Sequence, residues 1–195
     1  MSLLSKRQKK QLISAVIALI IIIVSAIVNK SDLTRRDSPP TPVPDPGFYT
    51  VVSFADGDTV SVQVGDKKET VRLIGIDTPE VHDPRKAVQC FGEAASQFTK
   101  ALIGTNTVRL ENDPLNSDRD KYDRLLRYVY LPDGTLVNSE IVKQGYGFAY
   151  LTYPFQKSDE FKAYEDQARQ TNKGLWGSCT VNNDTKGNRQ INNAN

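Results

Sequence analysis

Between residues 48 and 179, apolar and polar positions alternate in several short segments. Alternation with a period of two, bounded by turn residues such as Gly65-Asp66, is typical of β-strands that bury one face. The pattern predicts five strands, at Phe48–Ala55, Thr59–Val64, Glu69–Ile76, Thr107–Glu111 and Leu125–Leu131. Five short strands are enough to form a small β-barrel.

Segments with helical spacing of apolar residues separate these strands. The first helix is predicted from an apolar face made of Phe91, Ala95, Phe98 and Leu102, with Gly104 as its stop. A second helix is predicted at Val137–Gln144, and a third begins with Ser158 as its cap and reaches about Asn172. Five strands with about three helices predict an α+β fold, and a five-stranded oligonucleotide-binding (OB) barrel fits the strand count.

The N-terminal region has a different pattern, because residues 12–28 are almost wholly apolar and follow a basic segment, 1–11. As a helix these 17 residues span about 25 Å, the short end of what crosses a bilayer. We expect an uncleaved signal anchor in preference to a cleaved signal peptide. Either form keeps residues 1–11 cytoplasmic and places the residues after Val28 outside the cytoplasm, anchored to the membrane or secreted.

The remaining organisation follows from composition. Residues 29–47 are rich in proline and predict a semi-rigid linker. Residues 48–179 are the predicted folded domain, and the polar, Asn-rich residues 180–195 predict a disordered tail. The chain of 195 residues, with one long apolar segment, excludes a multidomain enzyme and a polytopic membrane protein.

Charge and histidine content restrict the chemistry further. The whole chain has a formal charge of +2, but residues 48–179 hold 16 basic and 19 acidic residues, about −3. Binding of a phosphate there must depend on a few placed cations or on a metal, since a general basic field is missing. His82 is the only histidine and the two cysteines form no C-x-x-C motif, which excludes paired-histidine catalysis and zinc ribbons.

Two polar clusters stand at the ends of predicted strands. In the first, Asp56-Gly-Asp-Thr59, two carboxylates flank a glycine, a pattern that is also common in plain turns. In the second, Arg72 precedes Asp77-Thr-Pro-Glu80. Asp58, Asp77 and the Thr78 carbonyl can meet at one barrel end and offer the oxygen ligands that calcium prefers.

The same clusters lead to two further expectations. Glu80 lies just beyond the carboxylates, with its side chain free to act on a bound water. The odd spacing of Arg72 and Asp77 puts them on opposite faces of a strand unless a bulge intervenes. The alternative interpretation of this cluster is the polar end of an edge strand.

Together with three further motifs, these clusters resemble the staphylococcal nuclease (thermonuclease) family from about Tyr49 to Trp176. The further motifs are Asp120-Lys-Tyr-x-Arg124, Asn138 with Gly145, and Gly174-Leu-Trp176. The resemblance implies an OB barrel with three helices. It also implies hydrolysis of DNA and RNA to 3′-phosphate products with one calcium ion as cofactor.

The resemblance also implies a role for each matching residue. Calcium ligands are Asp58, Asp77 and the Thr78 carbonyl; Glu80 is the general base; Arg72 and Arg124 bind phosphate; Lys121, Tyr122 and Tyr150 line the nucleotide pocket; Asp56 and Thr59 lie behind the metal. One position departs from the family, which usually has glycine where this chain has Asp123. Because Asp tolerates left-handed dihedrals better than most residues, we expect the loop to survive.

Several alternatives stay open. Cys90 and Cys179 can pair in an exported domain, or can remain two thiols. A catalytically inactive OB-fold module that binds nucleic acid, or a calcium-stabilised adhesion module, would share the barrel. The presence of Arg72, Asp77, Glu80 and Arg124 together favours the nuclease. We expect a monomer whose partners are DNA and RNA, with membrane contact through residues 12–28 if that segment is uncleaved.

Overall fold

The computed structural model describes residues 7, 47–81, 87–183 and 189–193. The chain divides into two compact units, Met1–Val43 and Pro44–Asn195, and the fold given below is that of the second. The predicted signal segment 12–28, and the linker 29–47 apart from its last residue, lie outside the described residues. Within the part of the chain that is described, no helix is long and apolar enough to cross a membrane.

The second unit contains nine strands and four helices among its described residues. In chain order they are β1 Phe48–Phe54, β2 Thr59–Val64, β3 Lys67–Leu73, β4 Ile76–Asp77, α1 Gly92–Ile103, β5 Thr107–Glu111, β6 Leu125–Tyr130, α2 Val137–Lys143, β7 Phe148–Ala149, α3 Ser158–Gln170, α4 Leu175–Ser178, β8 Val181–Asn183 and β9 Arg189–Ile191.

Five of these strands form a closed barrel in the order β1-β2-β3-β6-β5. Neighbours are antiparallel except for β3 and β6, which run parallel. Apolar side chains such as Val60, Val62 and Val71 are fully buried, because alternate positions along each strand point inward. The prediction of an α+β fold with a five-stranded OB barrel and three main helices is confirmed.

The helices depart from the sequence prediction in two details. Ser158 does not cap α3, because it is the first helical residue and Lys157 occupies the cap position without a side-chain hydrogen bond. The buried face of α1 consists of Gly92, Ala95, Thr99 and Ile103. Phe98 lies beside that face and stacks on Tyr146, with ring centroids 4.0 Å apart. The aromatic residue is therefore covered by a neighbouring ring, which helical periodicity cannot reveal.

Two glycines allow the start of α4 to pack closely against the end of α2. Gly145 and Gly174 both have positive φ, 71° and 58°. A Cβ on Gly174 would lie 2.3 Å from the Gly145 carbonyl oxygen, which accepts a hydrogen bond from Leu175 N–H at 2.8 Å. Only glycine leaves room for this contact between two backbones.

Asn138 on α2 ties the helix to the barrel. Its side chain is fully buried and accepts a hydrogen bond from Val129 N–H at 2.9 Å. Its amide donates to the carbonyls of Ile74, at 2.9 Å, and Arg127, at 3.2 Å. One side chain thus satisfies three buried backbone groups and fixes the segment between β3 and β4 against β6.

In the predicted disordered tail 180–195, the described residues 180–183 and 189–193 contain two strands. Strands β8 and β9 pair as an antiparallel two-stranded sheet. Arg189 on β9 donates from Nε, at 3.0 Å, and from Nη2 to Glu165, which is 2% exposed. A disulfide joins Cys179 to Cys90. An ion pair to a buried carboxylate and a covalent link supply the order that a polar composition alone would not.

Candidate active site at one end of the barrel

Two carboxylates converge on one guanidinium nitrogen at the end of β3. Nη2 of Arg72 lies 3.1 Å from Oδ2 of Asp58 and 3.3 Å from Oδ1 of Asp77. The same Asp58 oxygen accepts a hydrogen bond from Thr78 N–H at 3.0 Å. The residues predicted to meet at one barrel end are therefore brought together there.

The chain reverses between Arg72 and Asp77, so the expectation of opposite strand faces is wrong. Strand β3 ends at Leu73, and Gly75 adopts φ 74° before β4 begins. A side chain on Gly75 would meet the Phe155 ring at 2.6 Å, so the turn requires glycine. Arg72 Nη1 donates to the Ile76 carbonyl at 2.8 Å across this turn.

Asp58 is held in place from several sides. It is 5% exposed, and its Oδ1 accepts a hydrogen bond from the Thr59 hydroxyl at 2.9 Å. Thr99 of α1 donates to the Gly57 carbonyl at 2.7 Å. A Cβ on Gly57 would lie 2.9 Å from the Thr78 side chain, so glycine here lets the backbone approach Thr78 closely.

Asp56 lies next to Asp58, in surroundings that disfavour its charged form. Burial, and then the negative charge of Asp58, raise the pKa of Asp56 to about 7. Its Oδ1 accepts a hydrogen bond from Asp58 N–H at 3.3 Å. The accumulation of acidic groups favours a cation at this position, because positive charge relieves their mutual repulsion.

The oxygen atoms present fit a calcium ion better than a transition metal. Asp58 and Asp77 supply two carboxylates, and among the described residues no group of three or more His, Cys, Asp or Glu side chains surrounds a common point. The Thr78 hydroxyl is buried close to Gly57 and has no hydrogen-bond partner in the described part of the chain. Hard oxygen ligands completed by water or substrate are the donors that calcium accepts.

The loop 120–124 fixes the orientation of Arg124, the second arginine predicted for the site. Asp120 accepts hydrogen bonds from Arg124 Nε at 2.7 Å and from Arg124 N–H at 3.0 Å. Burial alone would raise the pKa of Asp120, but the hydrogen bonds from Arg124 and Tyr122 outweigh it and hold the pKa below its ordinary value. Asp123 has φ 65°, the left-handed conformation expected for this departure from glycine.

A cleft of about 530 Å³ lies between this loop and the end of the barrel. Six of the residues predicted for the site line it: Arg72, Asp77, Lys121, Tyr122, Arg124 and Tyr150. Tyr122 is 67% exposed and lies under both cations of its loop, with ring-to-cation distances of 4.9 Å and 5.4 Å. The described residues that line the cleft do not include Asp58, Thr78 or Glu80, which lie behind or beside it.

The side chain of Glu80 is not free, contrary to expectation. Its Oε1 accepts a hydrogen bond from Val81 N–H at 3.1 Å. Its own backbone N–H donates to the Gln89 side chain at 2.7 Å. The carboxylate folds back on the next peptide because a loop leaves that N–H without a ladder partner.

Comparison with known proteins agrees with this geometry. Residues 70–178 match the family described as staphylococcal nuclease homologue. The chain is 41% identical over 123 residues to endonuclease YncB of Bacillus subtilis (strain 168), covering 62% of this chain and 57% of YncB. It is 36% identical over 131 residues to the thermonuclease of Staphylococcus hyicus, covering 67% and 76%. It is 40% identical over 121 residues to the thermonuclease of Staphylococcus intermedius, covering 62% and 68%.

The chain belongs to the staphylococcal nuclease family. The resemblance inferred from motifs is thereby confirmed, although the chain spans less than two thirds of YncB. The family match begins after Asp58, so the place of Asp58 in this site depends on its contacts with Arg72 and Thr78.

Tyr153 and Arg119 are among the residues of the cleft that were not predicted from the sequence. Tyr153 lines it, is 63% exposed, and its ring lies 5.9 Å from that of Tyr150. Arg119 also lines it and donates to Glu69 at 2.9 Å and to the Asp123 carbonyl at 2.8 Å. Arg119 could not be singled out, because it lies in a loop with many other charged residues. Tyr153 could have been predicted, because it is an aromatic residue three positions after Tyr150.

Proposed function

We propose that the protein is a calcium-dependent nuclease that hydrolyses phosphodiester bonds of DNA and RNA and leaves 3′-phosphates. The observation that carries the proposal is the convergence of Asp58 and Asp77 on Arg72, at the edge of a cleft that Arg124 also lines. A phosphodiester is anionic, so its hydrolysis requires concentrated positive charge. The family relatives named endonuclease and thermonuclease support the same assignment.

One calcium ion would be held by Asp58, Asp77 and the Thr78 carbonyl. Such an ion supplies positive charge that polarises a phosphoryl oxygen and a bound water. The chain contributes a nearly buried carboxylate, Asp58, whose orientation is fixed by Thr59 and Thr78. Asp77 is half exposed and faces incoming ligands.

The remaining roles fall to Glu80 and the two arginines. Glu80 would accept the proton of the attacking water, after its carboxylate leaves the Val81 N–H. Arg72 and Arg124 would stabilise the charge that builds on the phosphoryl oxygens. Lys121, Tyr122 and Tyr150, with Tyr153, would bind a phosphate and stack on bases at the rim of the cleft.

Export completes the proposal. The apolar segment 12–28 behind basic residues supports an extracytoplasmic nuclease, anchored or secreted, and we propose that it acts as a monomer. The disulfide between Cys90 and Cys179 suits an oxidising compartment.

Digestion of plasmid DNA and of RNA by the purified protein, with calcium and then with chelator, tests the proposal. We expect cleavage of both in calcium and none with chelator. Asp77→Asn should weaken calcium binding in calorimetry while leaving thermal unfolding nearly unchanged, because Asp77 is half exposed. An inactive binding module would retard nucleic acid in a gel without cleaving it, and full activity with calcium stripped would refute the metal requirement.

A further inference from the structure

The turn before α1 holds the backbone of Glu80 from both sides. Gln89 Oε1 accepts a hydrogen bond from Glu80 N–H at 2.7 Å, and Gln89 N–H donates to the Glu80 carbonyl at 3.0 Å. Two hydrogen bonds from one residue fix both the position and the rotation of the Glu80 peptide planes.

The contact leaves little free space. Gly92 closes the turn by donating its N–H to the Gln89 carbonyl at 3.0 Å. A Cβ on Gly92 would lie 3.0 Å from the Glu80 carbonyl oxygen and 3.2 Å from that of Pro79. The segment that carries Glu80 is therefore packed directly against residues 89–92, which we call the Gln89 turn.

The Gln89 turn is itself anchored by a distant part of the chain. Cys90 is disulfide-bonded to Cys179, and its N–H donates to the Asn192 carbonyl at 2.8 Å. Gln89 forms an isolated antiparallel bridge with Asn193. The C-terminal segment thus holds the turn by one covalent link and by backbone pairing.

We propose that Gln89 is a positioning residue, which presents the Glu80 carboxylate to the attacking water by fixing the Glu80 backbone. The inference deepens the proposed function and rests on it. Both of these hydrogen bonds join Gln89 to the backbone of Glu80, so Gln89 acts on the geometry of Glu80 and not as a proton acceptor. A general base displaced by about 1 Å can lose about 10²-fold in rate, so a backbone support of this kind matters for catalysis.

The test compares three variants of the full-length protein. Gln89→Met keeps the length of the side chain but removes the acceptor, whereas Gln89→Glu keeps an acceptor oxygen. Gln97→Met is the matched control, because Gln97 is an exposed residue of α1. We expect Gln89→Met to lower kcat by roughly 10- to 100-fold with KM changed less than threefold or so. Gln89→Glu should recover most of kcat, and Gln97→Met should match wild type.

Two readouts separate positioning from general stability. Hydrogen exchange at the Glu80 amide, measured in calcium-free protein, should accelerate about tenfold in Gln89→Met and stay slow in Gln89→Glu. In a Glu80→Gln background, Gln89→Met should have no further effect on kcat, because the group that it positions is gone.

The outcomes distinguish the two proposals. Unchanged Glu80 exchange in Gln89→Met, or unchanged kcat despite faster exchange, overturns the positioning role. A full additional loss of kcat in the Glu80→Gln background also overturns it. If wild type cleaves nothing in calcium, the proposed nuclease function is wrong, and Gln89 then has no catalytic role. The exchange measurement still decides whether Gln89 holds the Glu80 backbone.

Discussion

Arg124→Lys keeps a positive charge in the cleft but removes the geometry on which the proposed catalysis depends. In the structure Arg124 Nε and Nη2 each lie 2.7 Å from Oδ2 of Asp120. The pair orients the guanidinium plane, and Nη1 carries two further N–H donors for a phosphoryl oxygen. A lysine has one nitrogen, which Asp120 would hold, so the same group cannot also make a fork to the phosphate.

The size of the effect follows from these contacts. Loss of one well-placed donor to a developing oxyanion typically costs about 10²–10³-fold in kcat, or roughly 3–4 kcal/mol. Stability should change much less. The Arg124–Asp120 pair is partly exposed, 28% and 17% for the two side chains, and pairs of this kind contribute on the order of 1 kcal/mol or less.

Steady-state cleavage of a labelled oligonucleotide in calcium measures kcat and KM, and urea unfolding measures stability. Arg109→Lys is the matched control. Arg109 also pairs with a carboxylate, Glu111 at 2.8 Å, and lies 4.3 Å from an aromatic ring, but it is on β5 away from the cleft. We expect Arg109→Lys to keep full kcat. If Arg124→Lys keeps it too, the fork is unnecessary and the role given to Arg124 is wrong.

Three further predictions concern stability. Burial would raise the pKa of Asp113, but the Tyr128 hydroxyl and two backbone N–H groups outweigh it and keep that pKa low. The ionised Asp113 therefore contributes fully to the free energy of unfolding above about pH 4, and this contribution is lost as pH falls through the lower folded-state pKa. Asp113→Asn should accordingly cost roughly 1–3 kcal/mol at pH 7 and progressively less in acid. A cost independent of pH would contradict this. Replacing Cys90 and Cys179 by serine should lower the free energy of unfolding by roughly 4–5 kcal/mol, since the loop spans 89 residues; a loss under about 1 kcal/mol in urea unfolding would argue against the link. Asn138→Asp should cost roughly 3–5 kcal/mol, because a buried charge would face two carbonyls, whereas the same change at the exposed Asn112 should cost far less in the same experiment.

The barrel was predictable because the pattern of apolar and polar residues within each strand is enough to identify that strand. The predicted boundaries of β2 and β5 agree with the structure, and those of β1 and β6 differ by one residue. Alternation of buried and exposed positions is a property of each strand alone. The carboxylate pair at the barrel end was also predictable, since Asp58 directly precedes β2, which is hydrogen-bonded to β3, and Asp77 follows β3 after one short turn.

Other features depend on distant contacts and were not predictable. The strand pair β8–β9 is held to α3 by the contact of Arg189 with Glu165, which are 24 residues apart. The contact of Gln89 with Glu80 joins residues that are nine positions apart and belong to no common strand or helix. The side-chain bond of Glu80 to Val81 N–H depends on a backbone that has no ladder partner. Periodicity and local motifs contain no information on such pairings.

The masses of the products formed from a short single-stranded oligonucleotide test the central claim most directly. The purified protein with calcium should convert the oligonucleotide into fragments that carry 3′-phosphates, and chelator should leave the strand intact. Glu80→Gln should give the same fragments far more slowly, because the amide cannot accept the proton of the attacking water. An intact strand in calcium, or fragments with 5′-phosphates, would contradict the account.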